Sequence, residues 1–134
     1  CALAIDAALP APRAAAPVTL PDLPAAETPD PALVTRLRQA MTDGAGVIRT
    51  AGGLTRTLTD IAAIEAAQPG CETLANMTAT ATLIAAAALL RRESRGAHFR
   101  SDFPHPDGAT GIRSLMTLTD ALAIRATMTR KEPA

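Results

Sequence analysis

Apolar positions recur at spacings of three and four along three stretches of this chain, with proline and glycine clusters between them. Leu33, Leu37, Ala40, Gly44 and Ile48 share one face of a helix expected from about Pro31 to Arg49. Asp30-Pro31 marks its start, because Asp can cap free amides and Pro is tolerated at the first helical position. Gly44 and Gly46 weaken this helix by about 1 kcal/mol each relative to Ala, and their size leaves room for a neighbour to come close. Thr50-Ala51-Gly52-Gly53 interrupts the pattern; Leu54, Leu58, Ile61 and Ala62 resume it as a second helix, which Pro69-Gly70 ends. A third helix, expected from about Cys71 to Ser94, carries Leu74, Met77, Ala81, Ile84 and Ala88 on one stripe and Leu83, Ala87 and Leu90 beside it. Being apolar on two faces, it is expected at the centre. Gly96 is expected to close it in the left-handed conformation, with Arg91, Arg92 and Arg95 complementing the negative end of its dipole.

Outside these stretches the pattern is weaker. His105-Pro106-Asp107-Gly108 reads as a turn, residues 112–118 as extended chain, and Thr119-Asp120 as the cap of a short final helix reaching Met128. Seven of the 11 prolines fall between Pro10 and Pro31, which favours extended backbone. The resulting expectation is an all-α fold: an antiparallel three-helix bundle of spectrin-repeat type, with a Pro-rich N-terminal linker and an irregular C-terminal tail. Residues 1–9 read as the end of a preceding helix, 10–29 as the linker and 30–134 as the helical domain. A start at Cys1, in mid-pattern, suggests a piece of a longer protein.

Composition narrows the function classes. The 134 residues are 48% hydrophobic and 19% charged, enough for one modest core, with Phe99 and Phe103 as the only aromatics. Alanine-rich helices approach closely but bury little area each. Thirteen basic and 13 acidic residues cancel, so no overall field favours nucleic acid or an anionic membrane. Cys1 and Cys71 form no CxxC pair, which points to reduced thiols and a cytoplasmic setting. The apolar run Leu83 to Leu90 falls short of the roughly 20 residues that cross a bilayer, so no membrane partner is expected.

Chemistry concentrates in Arg91-Arg92-Glu93-Ser94-Arg95-Gly96-Ala97-His98-Phe99-Arg100-Ser101-Asp102-Phe103-Pro104. Ser94, His98 and Asp102 have the residue types of a hydrolase triad, but they crowd one helix exit, whereas working triads draw members from distant parts of a fold. Hydrogen bonds that fasten a loop explain them better. His98, His105, Cys1 and Cys71 show no zinc-ligand spacing. The arginines are interleaved with Glu93 and Asp102 and lack the stacking platform of a single-strand binder. No glycine-rich phosphate loop is present for a dinucleotide. What remains is recognition: Arg95 and Arg100 can make bidentate bonds to carboxylates or bonds to free carbonyls, with Glu93 and Asp102 neutralising them.

The order Arg92-Glu93-Ser94-Arg95-Gly96-Ala97-His98, continuing through Arg100 to Asp102-Phe103-Pro104, resembles a motif of the C-terminal helical domain of the succinate dehydrogenase, fumarate reductase and L-aspartate oxidase flavoproteins. Gly46-Val47-Ile48-Arg49 and Gly53-Leu54 precede it in the same order, and the resemblance covers about residues 30 to 125. The short, Trp-free remainder after Pro104 makes the chain more similar to the oxidase branch. The resemblance implies a parent enzyme that oxidises L-aspartate to iminoaspartate on noncovalent FAD, the entry to NAD biosynthesis through quinolinate, with quinolinate synthase as a candidate partner. It also implies that the flavin and dicarboxylate sites lie in other domains, so no position here inherits a catalytic, cofactor or metal role. The motif residues Arg92, Glu93, Ser94, Arg95, Gly96, His98, Arg100 and Asp102 are expected to dock this domain on the flavin-binding domain of the same chain. The dehydrogenase or reductase subunit, and a free-standing helical interaction module, are the alternatives.

Overall fold

The computed structural model describes residues 26–130 together with Pro17. The expected helix remnant at 1–9 and most of the linker at 10–29 lie outside the described residues. Four helices make up the bundle: α1 Pro31–Ala45, α2 Ala51–Ala67, α3 Glu72–Leu90 and α4 Leu118–Thr129. Two short strands, β1 Ile48–Arg49 and β2 Phe99–Arg100, pair in parallel. The fold is all-α in substance, and α4 joins the bundle as a fourth member beside the three expected helices. Ala121 of α4 is fully buried in the main core, with Ile124 and Met128 packed against it.

Local chemistry sets the boundaries. Asp30 caps α1, its carboxylate accepting from the Ala32 amide at 2.8 Å, and Pro31 opens the helix. That helix stops at Ala45, short of the expected Arg49, because the chain turns at Gly46 into β1. Ile48, placed on the core face by helical spacing, is therefore 65% exposed on a strand. Thr50 caps α2 through the Gly53 amide at 3.0 Å, so Gly52 and Gly53 lie in its first turn and do not interrupt it. Thr117, two residues before the expected Thr119, caps α4 by forming a reciprocal capping box with Asp120, and Thr119 lies inside the helix.

The core is built from small contacts. Leu54, Leu58, Ile61, Ile64, Cys71 and Leu74 are fully buried, and α3 contributes Ala81, Ala85 and Ala86. Thr78 and Thr82, also fully buried, satisfy their hydroxyls on the Ala75 and Thr78 carbonyls. Arg125 of α4 bonds Glu65 of α2 at 2.6 Å and the Thr82 hydroxyl of α3 at 3.0 Å, tying three helices together. By length and composition α3 is apolar enough to cross a membrane, because its apolar character extends well beyond Leu83–Leu90. In this bundle α1, α2 and α4 all pack against it, burying 33% of that apolar stretch.

At the α1–α2 crossing, Gly44 faces Gly53, and the Thr57 hydroxyl reaches the Ala40 carbonyl at 3.2 Å. A Cβ on Gly44 would lie 1.9 Å from the Thr57 hydroxyl and 2.8 Å from the Gly53 carbonyl. Gly52 has open space, with an Arg56 nitrogen 3.5 Å from a Cβ as its nearest contact. Gly44→Ala is expected to destabilise the fold by about 1–3 kcal/mol through overpacking, against the helix-propensity gain. Gly52→Ala is expected to be neutral or stabilising by up to about 1 kcal/mol. Urea unfolding of the two variants separates crowding from propensity.

Candidate functional site

Pairing of β1 with β2 brings residues some fifty positions apart into register, Ile48 opposite Phe99 and Arg49 opposite Arg100. Strand alternation then sends Ile48 and Phe99 outward and turns Arg100 inward, where it is 1% exposed. Its Nη1 donates to the carbonyls of Ala88, Leu89 and Arg91 at 2.9, 3.1 and 3.2 Å. The first two are carbonyls that the end of α3 leaves without intrahelical partners, and the third belongs to its C-cap residue. Its Nε and Nη2 form a fork to the Asp102 carboxylate, both at 2.8 Å. Asp102 in turn accepts from the Ala51 amide at 2.9 Å, at the start of α2. A cation thus sits on the negative end of α3 and an anion on the positive end of α2, each also paired with the other. These bonds to Arg100 and Ala51 hold the Asp102 carboxyl well below the usual carboxylate range.

This arrangement corrects the expected cap. Helix α3 ends at Leu90, before Ser94, and Arg100 caps it in place of a glycine. Gly96 does have positive φ, +58°, but it serves the tight turn in which Arg95 and His98 exchange backbone hydrogen bonds of 2.8 and 3.1 Å.

Glu93 anchors a second cluster and is 7% exposed. Arg91 reaches one of its oxygens at 2.8 Å, and Arg95 and the Asp107 amide reach the other at 2.9 and 3.0 Å. The Asp107 amide first, then Arg95, hold its carboxyl at about 2. Arg95 also donates to the Asp107 and Gly108 carbonyls, so the cluster fastens the segment after Pro104 to the loop. Ser94 accepts from the Arg100 amide at 2.8 Å and donates to the Phe103 carbonyl at 2.8 Å. Arg92 lies exposed beside Phe103, its guanidinium 5.9 Å from the ring centre.

His98 is bound at both nitrogens, Nδ1 lying 3.3 Å from Arg49 and Nε2 3.2 Å from the Arg91 carbonyl. A guanidinium only donates, so Nδ1 carries the lone pair and Nε2 the proton. Burial is the main cause lowering the pKa of this imidazole, and the charges of Arg49, Arg91 and Arg100 add to it. Ser94, His98 and Asp102 are thus each bound to other groups, with no hydrogen bond among the three. Sequence reasoning gave no role to Arg49, which caps α1 through the Ala45 carbonyl at 3.0 Å and meets His98. Its signal was its place in Gly46-Val47-Ile48-Arg49; no local spacing shows the contact across 49 positions.

Residues 70–132 match the family model of the fumarate reductase flavoprotein C-terminus. The chain is 48% identical over 103 residues to an L-aspartate oxidase of Rhodospirillum rubrum, covering 77% of this chain and 36% of that protein. It is 48% identical over 102 residues to the L-aspartate oxidase of Caulobacter vibrioides, covering 76% of this chain and 18% of that protein. Over 52 residues, 39% of this chain and 10% of the relative, it is 59% identical to the L-aspartate oxidase of Bacillus subtilis. The chain belongs to the flavoprotein C-terminal domain family. It spans about a third or less of the length of these relatives. No solved structure matches it.

The flavoprotein family name implies a flavin, and the described residues of this C-terminal domain do not fit a dinucleotide. Helix N-termini are the natural seats for a pyrophosphate. Here Asp30 occupies that of α1, Thr50 and Asp102 that of α2, and Thr117 with Asp120 that of α4, while Glu72 stands in the first turn of α3.

Arg100→Met is expected to cost about 3–5 kcal/mol, because it strands Asp102 and the Ala88 and Leu89 carbonyls together. Thermal or urea unfolding checks it. Glu93 has a folded pKa of about 2 against its usual 4.5, so its contribution is complete above pH 4.5 and is lost as pH falls towards 2. His98, with a lowered folded pKa, likewise withdraws stability as pH falls below its usual 6.5. The urea midpoint should therefore decline on acidification through both windows. Glu93→Gln should flatten only the lower one.

Proposed function

We propose that this chain is the C-terminal helical docking domain of an FAD-dependent L-aspartate oxidase. The observation that carries the docking role is the division of the Arg91–Pro104 loop into inward charges and an outward apolar edge. Arg100, Glu93 and Ser94 are spent on the bundle itself, while Ile48 and Phe99, side by side on the strand pair, remain 65% and 40% exposed. The expected docking set therefore acts mainly by shaping and stiffening that edge, with Arg92 and the apolar pair as the groups offered outward. Similarity to L-aspartate oxidases along about three-quarters of the chain supports this parent over a dehydrogenase or reductase subunit.

In this reading the whole protein oxidises L-aspartate to iminoaspartate in the cytoplasm, on FAD held by other domains, and hands its product on towards quinolinate, with quinolinate synthase as partner. This domain supplies no proton donor or acceptor to that reaction. It covers and steadies the flavin-binding domain.

The experiment is an Ile48→Asp/Phe99→Asp variant of the full-length oxidase. Normal helix content, with flavin retention and L-aspartate-dependent peroxide formation both reduced at least tenfold, is the expected result. Wild-type flavin retention and turnover would rule out docking through this edge. The 134-residue chain alone is expected to be folded and colourless, and a bound flavin absorption band in it would overturn the assignment of the cofactor to other domains.

A further inference from the structure

Between the end of α3, β1 and the Arg95–His98 turn lies an open groove of about 420 Å3. Arg49, Arg91, His98 and Ser114 line it above a floor that includes Ile84 and Ala87. No carboxylate is among its lining residues. Arg49 has no acidic partner among the described residues, its donors going to the Ala45 and Ala97 carbonyls and to His98. Arg91 shares Glu93 with Arg95, and its Nε is buried with no hydrogen-bond partner. Five arginines (Arg49, Arg91, Arg92, Arg95 and Arg100) thus meet three acids, the paired Glu93 and Asp102 and the nearby Asp107, at this end of a chain whose formal net charge is zero.

We propose that this groove receives a carboxylate side chain from the partner surface on which the domain docks, with Arg49 and Arg91 as its donors. The inference rests on the docking role and names the chemistry of the surface that fills it. A guanidinium with no acid beside it among the described residues, Arg49, and a second that shares Glu93 with Arg95, Arg91, are suited to a further carboxylate, which their remaining N–H groups can bind. The apolar surroundings favour a side chain over a free acid. Ile84 is 49% exposed on the floor, and Ile48 and Phe99 adjoin Arg49 and His98 in the chain, so a protein face would cover them while delivering its acid. Burial is the main cause lowering the His98 pKa, and the charges of Arg49, Arg91 and Arg100 add to it, in keeping with a groove lined by cations and no carboxylate.

The test uses His98 as the reporter, by 13C NMR of histidine Cε1 in the 134-residue chain, with His105 as the internal control. Sodium acetate is the probe and sodium chloride at equal ionic strength the reference. Acetate is expected to raise the His98 midpoint saturably and chloride not, with Arg49→Gln and Arg91→Gln each weakening the acetate response at least tenfold. Equal responses to the two salts overturn the carboxylate site, and so does an acetate response that survives both substitutions. In the full-length protein the midpoint is expected to be raised already and indifferent to acetate, the groove being filled. A full-length protein that still answers acetate as the isolated chain does overturns the partner as the source. Failure of docking itself shows elsewhere, as a chain that binds acetate yet does not associate with the flavin-bearing part.

Discussion

The Arg100–Asp102 pair is the contact on which the loop and two helices depend. Its parts come from a single short segment, yet it closes both open ends of a helix junction: the carbonyls leaving α3 and an amide entering α2. Helix ends carry opposite partial charges, so one ion pair laid between an exit and an entry is favourable at both sites. An almost fully buried guanidinium would be costly to desolvate on its own. It is tolerated here because three carbonyls and a carboxylate take up its donors.

Everything else in the loop extends this arrangement. Ser94 ties the Arg100 amide to the Phe103 carbonyl, and Glu93 with Arg95 gathers the segment around Asp107. The two-residue strands have few bonds of their own, but they fix alternation, which decides that charge goes in and Ile48 and Phe99 go out. A dense row of arginines and acids thereby presents a partly apolar surface. The core beneath it has no large aromatic and relies on close approach, as at Gly44 and Thr57, and on buried threonines that satisfy themselves on their own helix.

Much of the candidate site was legible as identity but not as geometry. The order of residues from Arg92 to Pro104 pointed to the flavoprotein C-terminal domain, and membership in that family stands. That same order gave no hint that Arg100 caps α3 or that Gly96 serves a separate turn, because a glycine after an apolar helix has the same local pattern in either case. The role of Arg49 is hidden for a similar reason: its partners Ala97 and His98 are distant in sequence and adjacent only through strand pairing.

By itself the sequence determined the all-α class, the three long helices to within a few residues at most ends, the cap at Asp30, and the family. These rest on periodicity, capping chemistry and residue order, which are local. Tertiary structure alone decided that α4 packs as a fourth member, that Ile48 faces outward, and that α2 begins at Ala51 despite two glycines. It also decided which charges are spent inside the protein and which stay exposed. Those outcomes depend on which groups from distant segments meet, and a spacing along the chain carries no record of that.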